Sequence, residues 1–171
     1  VAAFMMHGAI YLGLKTKGKL YQQIRSFLKK AIIFFIISFT FVTLYTLIYI
    51  PHLTDKFKQN PAMFIIPIVA FLAIANIPRL VSKQKFLPAF AFSALSLAML
   101  LAIVAIEIYP VIIFSSGDSA NHITVYNAAS SSKSLGIMLT MAAIGVPLIA
   151  GYTYFVYKTF WGKVEIDEHS Y

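Results

Sequence analysis

The stretch AIIFFIISFTFVTLYTLIYI, Ala31–Ile50, decides the fold. It runs for 20 residues with only serine and threonine as polar members. A helix of that length rises about 30 Å, the thickness of a bilayer's hydrocarbon core. Lipid offers no partner to a backbone N–H or C=O, so a spanning segment is either a helix or a strand of a closed barrel. No stretch of this chain shows the ten-residue alternation of barrel strands. Ala31–Ile50 is therefore read as a transmembrane helix.

Three further apolar runs follow it: 63–77, broken by Pro67 and closed by Pro78-Arg79; 86–109, closed by Pro110; and 135–157, with Pro147 inside. The run 63–77 is the shortest and is expected to borrow flanking residues. Ahead of them, Val1–Leu14 is apolar but rises only about 21 Å. It has neither a basic region before it nor a small-residue cleavage site, so it does not read as a signal peptide. It is expected to be the end of a helix that starts upstream. The reading is an all-α integral membrane protein: a partial transmembrane helix plus four transmembrane helices, in a single membrane domain over 1–171. LYQQIRSFLKK (20–30) has helical periodicity and is expected to extend the second span.

Composition agrees. Hydrophobic residues are 60% and charged residues 12% of 171, and the mean hydropathy is +0.80. A soluble domain is about 45–50% apolar and about 25% charged. The absence of cysteine excludes a disulfide scaffold, thiolate metal sites and thiol catalysis. The net charge of +8 is topological rather than a nucleic-acid footprint, because the cations fall in the gaps between spans. Lys15, Lys17, Lys19, Arg25, Lys29, Lys30, Arg79, Lys83, Lys85, Lys158 and Lys163 lie in alternate loops; Lys56, Lys58 and Lys133 lie in the others. The positive-inside rule then places the first gap, the third gap and the tail 158–171 in the cytoplasm. Tyr11, Tyr49, Tyr109, Tyr157 and Trp161 fall at span ends, as an interfacial belt requires.

Few residues point to chemistry. His7 in MMHGAIYLG is ionisable at membrane depth, and two roles are open to it: haem ligand or proton relay. The structural alternative, a neutral imidazole bonded to a neighbouring helix, is favoured. Gly8 and Gly13 beside it are expected to let helices approach closely. Glu107, near the outer end of its span, is a candidate for proton transfer if its pKa is raised by burial. Against that, an interfacial carboxylate can simply be hydrated. Asn76 reads as an interhelical hydrogen-bonding residue. Gly136, Thr140, Ala143 and Pro147, with Ala150 and Tyr154, share one face of the last span and read as a helix-packing surface. In the loop before that span, Ser134 reads as its N-cap. Asp118 and His122 have metal-ligand spacing only on a helix, which their Gly-Ser-Asn surroundings oppose. His52 and His169 fall in loops. No phosphate loop, dinucleotide fingerprint or metalloprotease motif occurs. No catalytic residue and no metal site are assigned.

HGAIYLGLKTKGKL at 7–20, YPVIIFSS at 109–116, ITVYNAASSSKSLGIML at 123–139 and GVPLIAGYTYFVYKTFWGKV at 145–164 together resemble the C-terminal half of subunit II of cytochrome bd-type quinol oxidases. The resemblance implies a four-helix-bundle half of an eight-helix subunit. It also implies a complex that oxidises membrane quinol and reduces oxygen to water. Haems b and d would sit in a partner subunit I, with quinone also in the complex. This chain would be a non-haem subunit supporting assembly and stability of its haem-bearing partner. The implied partners are subunit I, the N-terminal half of subunit II and the lipid bilayer, with no nucleic acid. The implied location is a bacterial or archaeal cytoplasmic (inner) membrane. The resemblance gives Glu107 no role and weakens the ligand reading of His7. A transporter or channel fragment is the alternative, suggested by the Pro147 kink and Glu107.

Overall fold

Apolar side chains recur every three or four residues along each long segment, and that recurrence builds the helices of the computed structural model. It describes residues 1–50, 55–117 and 121–163. The order is α1 (Ala2–Lys15), α2 (Gly18–Tyr49), α3 (Asp55–Gln59), a 3-10 turn (Pro61–Phe64), α4 (Ile65–Ser82), α5 (Phe86–Ile108), β1 (Val111–Ile113), β2 (Ile123–Thr124) and α6 (Ser132–Thr159). Among the described residues, four segments are long and apolar enough to cross a membrane: Gly18–Tyr49, Pro61–Ser82, Phe86–Ile108 and Ser132–Thr159. The chain is an all-α, multi-pass integral membrane protein. The described residues form two compact units, divided between Glu107 and Ile108, with Lys163 joining the first.

In the first unit one stripe of each helix is buried. It consists of Met6, Ala9, Ile10 and Gly13 on α1, and Ile24, Leu28, Ala31, Ile32 and Phe35 on α2. On α4 it is Ala70, Ala73, Ile74 and Ile77, and on α5 Phe86, Ala89, Ser93 and Ser96. The positions recur at intervals of three or four residues, with the adjacent pairs Ala9/Ile10, Ala31/Ile32 and Ala73/Ile74 widening the stripe, the signature of one helix face. Small residues fill much of this surface. In lipid, tails are as apolar as leucine, so helices associate through close van der Waals packing, which small residues permit. Large apolar side chains face outward instead: Ile37, Phe41, Ile48 and Tyr49 on α2 are 63–69% exposed.

LYQQIRSFLKK extends the second span, as its periodicity predicts: α2 starts at Gly18, and the buried Ile24 and Leu28 continue the same stripe. Two other helix boundaries differ from the expectation drawn from sequence. α4 is neither broken by Pro67 nor closed by Pro78. Pro67 sits in the first turn, where an N–H has no intrahelical acceptor to lose. Pro78 removes one bond, and the packed Ala73, Ile74 and Ile77 hold the helix through it. α6 starts one turn before the apolar run, because its cap is Ser131 and not Ser134: the Ser131 side chain accepts from Ser134 N at 3.3 Å. Such a polar first turn needs no apolar partner. The segments between spans also hold structure that hydropathy does not register, namely α3 and the antiparallel pair β1–β2, with Val111 opposite Thr124 and Ile113 opposite Ile123.

Two tight turns close the first unit. Between α1 and α2, Thr16 is buried and its Oγ1 donates to Leu12 O at 2.7 Å, while Gly18 takes φ +63°. Between α4 and α5, Gln84 N donates to Val81 O and Lys85 N to Leu80 O, both at 3.0 Å, with Gln84 at φ 56°. This is a Schellman closure with a non-glycine residue at the left-handed position. A β-carbon there costs about 1–2 kcal/mol. Gln84→Gly is expected to stabilise the protein by roughly 1 kcal/mol, offset in part by the glycine's unfolded-state entropy; an unchanged or lower thermal midpoint in detergent counts against this closure.

Candidate functional site

α1 and α5 bring His7 and Ser93 together, 86 residues apart in sequence. His7 Nδ1 lies 2.7 Å from Ser93 Oγ, and Ser93 Oγ donates to Phe90 O at 2.8 Å. A serine hydroxyl has one proton. With that proton on the Phe90 carbonyl, the Ser93 oxygen accepts from a protonated His7 Nδ1. The His7 ring stacks on Phe90, centroids 4.4 Å apart and planes 24° apart. Tyr11 lies across the same Phe90 ring at 5.6 Å. Ser93 is fully buried and His7 half-buried. The geometry is that of an imidazole hydrogen-bonded to a neighbouring helix.

Sequence reading missed Ser93 and Ser96, although the signal was present. Phe86, Ala89, Ser93 and Ser96 follow one another at intervals of 3, 4 and 3, a helix-packing stripe. Ser96 Oγ is satisfied within α5 by Phe92 O at 2.8 Å, so only Ser93 offers its oxygen to another helix in the described contacts. Ser93→Ala is expected to cost about 1–3 kcal/mol by leaving the Nδ1–H without its acceptor. His7→Phe should cost less, because Ser93 keeps its bond to the Phe90 carbonyl. Thermal unfolding of both variants in detergent checks the order. The reverse order would show that the pair does not hold α1 to α5.

At the opposite end of α5, Glu107 is half-buried with its Oε1 enclosed. Its backbone carbonyl accepts from Lys56 Nζ at 2.5 Å, and Ile106 O accepts from the same ammonium at 2.8 Å. Lys56 thus covers the last carbonyls of α5, where a cation also suits the helix dipole. Sequence reading counted Lys56 only as a loop charge. No hydropathy or motif signal links it to a helix 50 residues away.

The second unit carries the other candidates. Asn127 ties the strand pair together: its Oδ1 accepts from Thr124 N at 2.7 Å, its Nδ2 donates to His122 O at 2.8 Å, and its N donates to Thr124 Oγ1 at 3.1 Å. His122 Nδ1 accepts from Ser115 N at 3.1 Å. The Tyr109 and Tyr126 hydroxyls are hydrogen-bonded to each other, and that bond raises the Tyr126 pKa above its ordinary value. On α6, none of Gly136, Thr140, Ala143 and Pro147 is buried. The Thr140 hydroxyl donates to Gly136 O of its own helix at 2.9 Å. Asp118, His52 and His169 lie outside the described residues. Among the described residues no group of three His, Asp or Glu side chains gathers to hold a metal.

His7 uses one ring nitrogen on Ser93 and one ring face on Phe90. No redox step is assigned to this chain's side chains.

Comparison with known proteins gives the site its context. The family model described as "Cytochrome bd terminal oxidase subunit II" matches residues 1–160. Cytochrome bd-I ubiquinol oxidase subunit 2 of Escherichia coli (strain K12) is 23% identical over 194 aligned positions, covering 98% of this chain and 51% of that protein. Cytochrome bd ubiquinol oxidase subunit 2 of Bacillus subtilis (strain 168) is 27% identical over 167 positions, covering 95% of this chain and 47% of that protein. The chain spans about half the length of these relatives. The family match lends no support to a transporter or channel.

Proposed function

The chain belongs to the cytochrome bd terminal oxidase subunit II family, and from that premise we propose that it serves as a non-haem subunit of a quinol oxidase. On this reading the whole complex oxidises membrane quinol and reduces oxygen to water. Haems b and d, held by a partner subunit I, supply the electron transfer and oxygen chemistry. This chain contributes packing surface that supports assembly and stability of that partner. Its partners are subunit I and the half of a subunit-II-length protein that it does not span. The complex lies in a bacterial or archaeal cytoplasmic membrane, with the basic turns and the C-terminus on the cytoplasmic side.

The observation that carries the reading is the family match over residues 1–160. Two structural facts support it: the His7–Ser93 pair is built as a hydrogen bond between helices, and no residue of α6 is buried, its small-residue face included. The test is purification of the tagged chain from native membranes in mild detergent, followed by a reduced-minus-oxidised spectrum. Haem bands that travel with a larger partner are expected. A haem-free preparation without a partner would overturn the reading.

A further inference from the structure

Cations of the first unit gather at the end that holds the α1–α2 and α4–α5 turns, while Lys56, bonded to Ile106 O and Glu107 O, lies at the other. Phe86, which opens α5, lies against Gly13 of α1 and meets Tyr21 of α2 edge-on at 5.7 Å. The α1–α2 turn and the α4–α5 turn are thereby held side by side. Arg79, Lys83 and Lys85 come from the second turn, and Arg25, Lys29 and Lys30 from the opening turns of α2; all six are exposed. On α2 these cations lie off the stripe occupied by the buried Ile24, Leu28, Ala31 and Ile32. Beside them stand Phe27, Ile33 and Phe34, which are 47–50% exposed.

We propose that this end of the first unit binds the headgroups of anionic phospholipids, with α2 supplying both the cations and the apolar side chains that meet the acyl chains. Basic clusters beside membrane helices attract anionic lipid, and the depth of the cations fits that occupant. The 20 residues Ala31–Ile50 alone rise about 30 Å, the thickness of the hydrocarbon core, so Lys29 and Lys30 just before them fall at the level of the phosphates. Side chains of a helix tilt toward its N-terminus, which for α2 is the turn end. Lys29 and Lys30 therefore extend toward the phosphates, with their stems lying along apolar surface. The interleaved aromatic and aliphatic side chains favour a lipid over an acidic protein surface, which offers no acyl chain to cover them.

The test uses the full chain purified with its accompanying subunits, exchanged into phosphatidylcholine vesicles with or without phosphatidylglycerol. Retained phosphatidylglycerol is measured by mass spectrometry after re-extraction. The wild type is expected to retain it. Arg25→Gln/Lys29→Gln/Lys30→Gln should bind it about a hundredfold more weakly, at roughly fivefold per cation. Lys29→Arg/Lys30→Arg should retain it, as should Lys133→Gln at the start of α6. Should the triple variant fail to fold, Lys83→Gln/Lys85→Gln tests the same surface, with an expected loss of about thirtyfold. Undiminished retention in the neutralised variants would overturn the proposal. So would loss of a protein subunit with lipid retention unchanged, which would assign the surface to an acidic partner, or displacement of the lipid by inorganic phosphate, which would assign it to a soluble anion.

Discussion

Replacing Gly13 with leucine is expected to destabilise the protein by roughly 3 kcal/mol, the upper range for overpacking a close contact. A β-carbon at Gly13 would fall 2.9 Å from Cε1 and 3.0 Å from Cδ1 of Phe86. The ring has little room to yield, being 9% exposed and set edge-on to Tyr21. Gly13→Ala asks for a smaller shift and should cost about 1 kcal/mol. Gly8 provides the control within the same helix. A β-carbon there meets nothing within 4 Å, so Gly8→Leu should stay within about 0.5 kcal/mol of wild type. Adding Phe86→Ala to Gly13→Leu should recover part of the loss, giving a coupling energy of the sign expected for a direct clash. The readout is the thermal midpoint of the purified protein in detergent. Equal midpoints for Gly13→Leu and wild type would mean that α1 and α5 are not held together at this point.

Pro147→Leu is expected to lower the yield of assembled oxidase several-fold while leaving the turnover of each assembled complex unchanged. This outcome rests on the proposed role of α6 as a packing surface. Pro147 lies inside α6 and denies Ala143 O its usual donor. Leucine restores that bond and places a larger, branched side chain on the face shared with Gly136, Thr140 and Ala143. The helix by itself gains propensity, so a fall in yield reports lost docking rather than lost helix. A change of about 1–2 kcal/mol is enough to alter abundance several-fold in cells. The check is the amount of haem-bearing complex recovered with the tagged chain, set beside oxygen consumption per haem. Normal yield with lost turnover would move α6 from packing to the chemistry of the complex.

The His7 and Gly13 results illustrate how far local sequence carries. The sequence identified His7 as a polar group at membrane depth and Gly13 as a small residue on a helix, both from local context alone. Their partners, Ser93 and Phe86, sit more than seventy residues away on α5. Nothing in hydropathy distinguishes the serine that accepts from His7 from Ser96, which is satisfied within its own helix. Gly8 and Gly13 are equally small, yet they differ in what lies opposite them. The Ser131 cap and the Asn127 bonds show a shorter version of the same limit. Both use ordinary loop residues whose roles depend on where the backbone turns.

By itself the sequence determined that this chain crosses a membrane as helices, because the hydrocarbon core demands about 20 apolar residues per span and internal satisfaction of every backbone group. It also pointed to the family, through motifs at 7–20 and between 109 and 164, and the family match over residues 1–160 shows it. The tertiary structure decided which face of each helix is covered, which prolines are tolerated and which distant residues meet. Those outcomes depend on distances of a few ångströms between helices, and such distances are set by packing against partners that no local pattern encodes.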